Sequence, residues 1–265
     1  MRDLRYALRL IAKSPGLTLI AVLSLALGIG ANVTIFTFAN ALLLQRPNVP
    51  QPSRLVEVYT HDPDPHAALH GDYPLSYPDY LDYQQQATSL TGLLVYQPGG
   101  EVNAVTSPGA SPQPWTGQLV SANYFQVLGI KPALGRWFLP SEGAVKGASP
   151  VVVISWATWQ TAFGGAPNII GRSVDFNGAP YTFIGVSPNA FRGLLAGLQC
   201  RLWVPVTMAE RLGSPGTLED RGTRDLFAVG RLRPGVTVAE ASAQMNMIQQ
   251  RIVREYPKDE LPTFG

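Results

Sequence analysis

The sequence predicts an α+β protein in which an amino-terminal transmembrane helix is followed by a mixed α+β domain outside the membrane. Residues 14–45 contain no Asp, Glu, Lys, Arg or His. A helix of that stretch is longer than the roughly 30 Å hydrocarbon core of a bilayer, and Ser14 and Pro15 are typical of a helix start. The rest of the chain alternates short strand patterns, Gly- and Pro-containing turns and short helix patterns, which favours an α+β domain over a doubly wound sheet.

The charges around this stretch predict its orientation. The tail before it, residues 1–13, carries an excess of cationic side chains, namely Arg2, Arg5, Arg9 and Lys13. Because excess Lys and Arg stay in the cytoplasm, we expect the amino terminus inside and the large domain outside. The apolar residues of the tail repeat at helical spacing, which is typical of an amphipathic helix on membrane lipid, and simple flanking charge is the alternative.

Small and polar residues inside the predicted span indicate packing against partner helices. The residues concerned are Ala21, Ser24, Gly28, Ala31, Asn32 and Asn40. Small side chains four residues apart let helices approach closely, and hydrocarbon would leave the two Asn side chains without hydrogen-bond partners. A cleaved signal peptide ending at Ala41 is the competing interpretation, although the apolar run continues past that point.

Composition excludes some classes of protein. The 265 residues carry a formal charge of only +2, and no Lys/Arg cluster with interleaved aromatics follows the span, so nucleic acid is not an expected partner. Cys200 is the only cysteine, which rules out an intramolecular disulfide. We expect it to be a small buried apolar residue.

The sequence of the first half of the outer domain predicts strands interrupted by two helices. Strands are predicted at residues 55–60, 93–97, 101–106 and 115–120. A helix is predicted over 77–86, with Ser76 as its start signal. Ser121 is predicted to cap a second, short helix that Gly129 ends.

The second half repeats this mixture. A strand at 151–154 precedes a helix at 156–163, which Ser155 caps and Gly164 ends. Asn177-Gly178 predicts a hairpin between strands 173–176 and 181–186, with Ala179 and Pro180 lengthening its loop. Further strands are predicted at 202–206 and 227–232. Thr237 and Glu240 form a capping box for a closing helix over 238–256.

No motif predicts catalysis, a cofactor or a metal. The His- and Asp-containing segment 61–72 lacks metal-ligand spacing and contains two prolines, so a solvated loop is the favoured interpretation. Carboxylates such as Asp79, Asp82, Glu219 and Asp220 are expected to be solvated or to cap helices. The tryptophans could line a groove, but core positions are favoured. The chain has no phosphate-binding P-loop, so ATP hydrolysis would require another chain.

Several motifs in order carry a resemblance to a known family. They are DLRYALRLIAKSPGLTLIAVLSLALGIGANVTIF, SYPDYLDYQQQ, SANYFQVLGIKPALGRWF, PVVVISWATWQTAFGG, IIGRSVDFNGAPYTFIGV and VGRLRPGVTVAEA. The sequence resembles the beginning of a MacB/FtsX-type ABC transporter permease, and is similar in particular to the large permeases of acidobacterial type. The resemblance covers the chain from its first residues to about Pro257.

The resemblance implies a domain plan. Residues 46–256 would form a MacB-like periplasmic core domain with two subdomains. Residues 55–129 and 224–256 would form its membrane-proximal part and residues 130–223 an inserted part. Residues 257–265 would begin a linker to further membrane segments.

It also implies a function without enzymatic activity in this chain. The protein would be a permease subunit in the bacterial inner membrane, acting in efflux or mechanotransmission. A separate ABC ATPase would be its partner, and the permease would be a homodimer or would pair with a second permease half. Because the further spans of the family do not occur in these 265 residues, an amino-terminal fragment or a truncated gene product of a longer permease is expected. A single-pass anchored binding or sensor domain is the alternative, and a secreted enzyme released at Ala41 is a third.

Overall fold

The structure is a computed structural model that describes residues 16, 19–20, 22–30, 33, 48–61, 71–107, 109–195, 198–214, 216 and 218–257. It divides into two compact units, Met1–Arg46 and Pro47–Gly265. In the first unit, residues 22–30 are helical and exposed. Within the described ranges, no helix combines the length and the apolar character needed to cross a membrane. Most of the predicted span 14–45 lies outside those ranges.

The second unit alternates strands and helices along the chain. Its strands are β1 Leu55–Val58, β2 Thr60–His61, β3 Asp72–Tyr73, β4 Leu90–Val105, β5 Gln113–Val120, β6 Leu134–Gly135, β7 Val151–Ile154, β8 Ser173–Phe176, β9 Ala179–Val186, β10 Leu202–Pro205 and β11 Phe227–Leu232. Its α-helices are α1 Tyr77–Gln86, α2 Tyr124–Leu128, α3 Trp156–Phe163 and α4 Val238–Glu255. This mixture confirms the α+β class.

One mixed sheet runs through the unit. Its strand order is β1-β11-β4-β5-β10-β7-β9-β6, and β8 pairs with both β4 and β9. The β5–β10 and β7–β9 pairs are parallel and the others antiparallel. The extra pairings of β8 close a ring of six strands, β4, β5, β10, β7, β9 and β8, so part of the sheet forms a small barrel.

Alternate side chains of the ring strands form one buried apolar cluster. Its members include Val102, Trp115, Val152, Phe176, Phe183 and Leu202. Because successive residues of a strand face opposite sides, this period of two is the one that fills the interior of a small barrel. Gly117 shares this side of β5, and a Cβ there would lie 2.4 Å from Cδ1 of Leu202. The interior therefore requires a glycine at residue 117.

The remaining strands, β1, β11 and the first half of β4, are covered on both faces. Helices α1 and α4 contribute Tyr80, Tyr83, Ala241 and Ile248 to one buried cluster. Helix α2 packs on the other face, where Phe125 stacks on Trp137 with ring centroids 4.0 Å apart. A helix layer on each side of the sheet buries both of its apolar faces, which is the usual solution for such a layer.

Most of the predicted helix boundaries are confirmed. The hydroxyl Oγ of Ser76 accepts a hydrogen bond from the backbone N of Asp79 at the start of α1. Ser155 caps α3 in the same way, and Gly164 ends it with a left-handed backbone. The capping box of α4 forms as predicted from Thr237 and Glu240.

The predicted strand 55–60 is divided between β1 and β2, which belong to different sheets. Three other local predictions were wrong. Residues 93–97 and 101–106 belong to one strand, β4, because the glycines between them take up a bulge against β5. Ser121 does not cap α2: its Oγ bonds to Val95 N and Asn123 instead, and the helix begins at Tyr124.

The third concerns the hairpin, whose loop has only two residues. Asn177 and Gly178 have φ angles of 50° and 83°, which a tight turn of this kind needs. Pro180 was expected to lie in the loop but pairs with Asp175 in the β8–β9 ladder. The N–H of Thr182, two residues later, donates to Pro150 on the side away from β8. The nitrogen of Pro180 faces that side too, so the β8–β9 ladder loses no donor.

Candidate functional site

The segment that leads into β1 is fastened to the end of β11 by an arginine. Nε of Arg54 donates to the carbonyl oxygen of Leu232 at 3.0 Å, and its Nη2 donates to the same oxygen. β1 itself pairs with β11, so Arg54 extends this contact by one residue beyond the strand. Since β11 leads through a short turn into α4, the entry segment and the start of α4 are held together.

A second arginine ties the same segment to helix α2. Nη2 of Arg231 donates to the carbonyls of Pro50 and Leu128, both at 3.1 Å, and its Nε donates to Val127. The last carbonyls of a helix have no partner within the helix, so Arg231 satisfies two that would otherwise be bare. Burial, with the nearby charge of Arg54, lowers the pKa of Arg231. A guanidinium nevertheless stays protonated in proteins.

Helix α4 is bound along its length to helix α1 and to the turn after it. Nε2 of Gln244 donates to Oγ1 of Thr88 at 2.6 Å, and its Oε1 accepts from the backbone N of Ser89 at 2.8 Å. About two helical turns further on, Nη1 of Arg251 donates to Oε1 of Gln86 at 2.7 Å. With Ala241 and Ile248 buried beneath them, these bonds align α4 with α1.

A buried ionic cluster closes the far end of this helix pair. Nη1 of Arg221 lies 2.5 Å from Oδ1 of Asp79, and its Nη2 lies 2.7 Å from Oδ2 of Asp82. Nη1 of Arg224 lies 3.1 Å from the second oxygen of Asp79. The side chain of Asp79 is only 2% exposed. Two carboxylates and two guanidinium groups balance each other here, which offsets the cost of removing these charges from water.

The cluster reaches the carboxyl end of α4. The guanidinium carbon of Arg221 lies 3.8 Å from the ring centroid of Tyr256, the residue after α4. Burial would lower the pKa of Arg221, but its hydrogen bonds with Asp82 and Asp79 outweigh this and the pKa is raised. On its other side, Arg224 bonds to Thr60 in β2. Four separate chain segments therefore meet at this cluster.

We call the whole set of contacts the junction: Arg54 and Arg231 at one end, the α1–α4 bonds in the middle, and the Asp79, Asp82, Arg221 and Arg224 cluster at the other end. Among these residues, no nucleophile is paired with a base. The chemistry of the junction is that of a mechanical connection between the segment entering the domain and the last described helix.

The predicted packing and topology residues of the amino-terminal segment are only partly described. Ser24 and Gly28 lie in the helical residues 22–30, where an added Cβ at Gly28 would meet no atom within 4 Å. The others, Ala21, Ala31, Asn32 and Asn40 with Arg2, Arg5, Arg9 and Lys13, lie outside the described residues. Their roles stay predictions.

Other predicted residues can be placed. Cys200 is buried, as predicted, and its thiol bonds to the carbonyl of Leu202. Trp115 and Trp203 are core residues. Nδ1 of His61 lies 2.9 Å from Asp72, both exposed, and most of the segment between them is undescribed. In the part of the chain that the structure describes, no three His, Cys, Asp or Glu side chains converge as a metal would require.

The expectation that Asp79 and Asp82 are solvated or capping surface carboxylates was wrong. Both bind Arg221, and Asp79 is buried. A signal was present in the sequence: the two Asp residues are three apart on a helix, and Arg221 and Arg224 are also three apart. On a helix this spacing puts the two Asp side chains on one side, whereas Arg221 and Arg224 lie in a loop, where the rule does not apply. Nothing local indicated that the two pairs would meet, since about half the chain separates them.

Comparison with solved structures identifies the fold. The fold is similar to the periplasmic region of MacB from Actinobacillus actinomycetemcomitans, with a TM-score of 0.56, 16% identity, and coverage of 78% of this chain and 86% of that one. It is also similar to the extracellular domain of the noncanonic ABC-type transporter YknZ from Gram-positive bacteria, with a TM-score of 0.51, 14% identity, and coverage of 77% and 95%. The chain therefore shares the fold of these two domains.

The sequence gives the family. Residues 18–248 match the MacB-like periplasmic core domain, and the chain belongs to that family. It is 30% identical over 173 residues to the macrolide export ATP-binding/permease protein MacB of Burkholderia cenocepacia (strain HI2424), over 64% of this chain and 22% of that protein. Its identity to the protein of the same name from Burkholderia thailandensis is 29% over 180 residues. The chain spans less than a quarter of the length of these relatives.

Proposed function

We propose that this chain is the amino-terminal part of a membrane permease subunit of an ABC-type transporter. Its extracytoplasmic domain would transmit movement, in efflux or mechanotransmission, between the membrane segments on its two sides. The observation that carries the proposal is the family match, which runs from residue 18 in the apolar stretch to residue 248 in α4. ATP hydrolysis would be supplied by an ABC ATPase partner.

The junction supports this role because it gives movement a stiff route. Arg54 and Arg231 hold the entry segment to β11 and α2, and α4 is bonded to α1 over much of its length. A partly buried hydrogen bond that involves a charged group, such as that of Arg54 with Leu232, contributes about 1.5–3 kcal/mol, and the exposed bonds of Arg231 with Pro50 and Arg251 with Gln86 contribute less. A displacement of the entry segment would thus carry α4 with it rather than be lost in a soft linker.

We further propose the membrane arrangement that the flanking charges predict. Residues 1–13, with Arg2, Arg5, Arg9 and Lys13, would lie on the cytoplasmic side, and residues 14–45 would span the inner membrane as a helix. The small and polar residues Ala21, Ser24, Gly28, Ala31, Asn32 and Asn40 would contact a partner helix, from a second copy or another permease half.

The division of the outer domain follows the same proposal. Residues 55–129 and 224–256 would be the membrane-proximal part and residues 130–223 the inserted part. The helix pair α1–α4 and the strands β1 and β11 fall within the first part. The six-strand ring takes β4 and β5 from this part and its other four strands from the second, so the two parts would move together.

Site-directed labelling tests the arrangement. Val145 is 60% exposed, and the lone native Cys200 is buried, so Val145→Cys offers a single reactive thiol with little background. In intact spheroplasts of cells making the full protein, a membrane-impermeant maleimide should label Val145→Cys. It should label Arg5→Cys only after the membrane is opened.

The opposite result would contradict the proposal. Labelling of both sites only in broken cells would place the domain in the cytoplasm. Recovery of a Val145→Cys protein that lacks the first 41 residues and does not sediment with membranes would favour a secreted protein.

A further inference from the structure

A cleft in the distal part of the domain lies outside the junction. It has a volume of about 350 Å³ and opens between the first turn of α3, residues 189–192 and residues 199–201. Its walls include Trp156, Thr158, Asn189, Phe191, Arg192 and Arg201. No Asp or Glu side chain lines it. A volume of this size is at the small end of ligand pockets.

Arg201 differs from the other half-buried arginines in its bonding partners. Five described arginines are half-buried: Arg54, Arg201, Arg221, Arg224 and Arg231. Four of them bond to carbonyls or carboxylates. Within the described residues, the Arg201 guanidinium makes no hydrogen bond and no ion pair. It makes a cation–π contact with Trp115, and its central carbon lies 4.6 Å from the centroid of that ring.

This arrangement leaves a partly desolvated cation without a counter-ion. Taking a charged group out of water is costly unless it is paired, and a cation–π contact returns only about 0.5–2 kcal/mol. The same contact fixes the guanidinium against the indole, so its planar set of donors is already oriented. Arg192, on the same cleft and exposed, adds a second positive charge without a carboxylate nearby.

The remaining walls indicate what else a ligand would carry. Trp156 offers apolar ring surface, and the exposed Asn189 offers an amide group for uncharged polar atoms. Phe191 and Thr158 are almost fully buried, and the Thr158 hydroxyl already bonds to Ser155. The Cys200 thiol, also in the wall, bonds to the carbonyl of Leu202 and burial raises its pKa, so it adds no negative charge. The cleft thus combines two cations, aromatic surface and neutral polar groups.

We propose that this cleft binds a small organic anion, with a carboxylate or phosphate group held by Arg201 and Arg192 and a flat apolar part against Trp156. Bidentate recognition of such groups is the task for which a guanidinium is best suited. The proposal is independent of the membrane arrangement and of any ATPase partner.

Phenyl phosphate is the probe for this test, because it joins the two parts of the inferred ligand. Isothermal titration of the full chain in detergent should give a dissociation constant of about 1 mM or tighter, the range expected of so small a molecule. Inorganic phosphate should bind more weakly, because it lacks the ring. Benzyl alcohol, which keeps the ring but lacks the charge, should give no heat of binding.

Variants test whether phenyl phosphate binds in this cleft. Arg201→Gln should weaken phenyl phosphate binding about 10-fold or more, and Arg201→Lys should lie between it and the wild type because it keeps the charge but loses the planar fork. Arg172→Gln is the matched control: Arg172 is exposed and stacks on Phe163 outside the cleft, so the same charge is removed without loss of affinity. Thermal unfolding of each variant confirms that it is folded.

Two results would overturn the proposal. One is the absence of any binding heat with phenyl phosphate at concentrations well above 1 mM. The other is equal loss of affinity in Arg201→Gln and Arg172→Gln, which would mean that the anion responds only to net charge. If Arg201→Gln does not fold, Arg192→Gln on the exposed side of the cleft gives the same test, with a smaller expected loss.

Discussion

Asp79, in α1, and Arg221, in the loop before β11, form an ion pair with an N–O distance of 2.5 Å although 142 residues separate them in the chain. The Asp79 carboxylate also binds Arg224, and Arg221 in turn lies over the ring of Tyr256. One buried carboxylate therefore holds two arginines, and one of these contacts the end of α4. Through Arg221 and Tyr256, the pair connects the end of α4 to the rest of the domain.

Removing Asp79 should be strongly destabilising. Asp79→Ala leaves two partly buried guanidinium groups without their shared carboxylate, and breaking a buried pair in this way costs about 3–5 kcal/mol. Urea denaturation of the full chain in detergent, followed by tryptophan fluorescence, measures the loss. Glu219→Ala is the control, because it breaks the exposed pair with Lys146 and should leave the midpoint nearly unchanged. Equal shifts of the urea midpoint in the two variants would show that the buried cluster contributes no more to stability than the exposed ion pair does.

Gly185 in β9 should not accept a side chain. A Cβ at this position would lie 2.2 Å from the carbonyl oxygen of Arg136, a backbone atom that cannot turn aside. Gly185→Ala should therefore lower the free energy of unfolding by about 1–3 kcal/mol, the usual cost of overpacking. Gly100→Ala, in β4, adds the same methyl group with no atom within 4 Å and should be tolerated. An unchanged unfolding midpoint for Gly185→Ala would mean that β6 and β9 can move apart.

The thiol of Cys200 should be unreactive in the folded protein. Burial raises its pKa above the ordinary value of 9.0, and the thiolate is the form that reacts. N-ethylmaleimide should label the folded chain very slowly, with little increase as the pH approaches 9.0, and should label it fully in urea. The Val145→Cys variant supplies a reactive reference thiol. Rapid single-site labelling of the folded wild type would mean that the Cys200 side of the ring opens readily.

The pair of Arg136 and Glu142 should stabilise the fold near neutral pH and lose this contribution in acid. Burial acts to raise the pKa of Glu142, but hydrogen bonds from Arg136 and from Leu139 N outweigh it and the pKa lies below 4.5. A carboxylate with a lowered pKa stabilises the fold above its ordinary pKa, and this contribution is lost as the pH falls through the lowered value.

Glu142→Gln should therefore show a smaller loss of stability on acidification than the wild type, as measured by the unfolding midpoint at successive pH values below 4.5. Glu101→Gln removes an exposed carboxylate that has no ion pair in the described part of the chain, and it should behave as the wild type does. Parallel acid profiles for wild type and Glu142→Gln would contradict the assignment.

Local signals in the sequence were sufficient for much of the fold. The Thr237–Glu240 capping box, the Ser155 cap and the Asn177-Gly178 turn each depend on residues a few positions apart, and all three form. Such features are decided by side chains that bond to the neighbouring backbone, so the chain need not be folded for them to be predicted.

The contacts that were missed are non-local. The ring closes only because Ala104 in β4 pairs with Phe176 in β8, and the junction exists only because Asp79 meets Arg221. Period-two patterns in short strands do not identify which strand is the neighbour. A carboxylate on a helix looks the same in sequence whether it faces water or a distant arginine. The resemblance to a permease family supplied the class of protein, and the structure was needed to place the junction.

The most direct test of the account is whether an ABC ATPase accompanies this protein. The native protein that contains this sequence would be tagged, extracted from membranes in mild detergent and purified, and its vanadate-sensitive ATP hydrolysis measured. We predict that such activity co-purifies and that Asp79→Asn, which weakens the junction, lowers the rate while the protein stays folded. A folded, membrane-extracted protein with no associated ATP hydrolysis would contradict the permease assignment and favour an anchored binding or sensor domain.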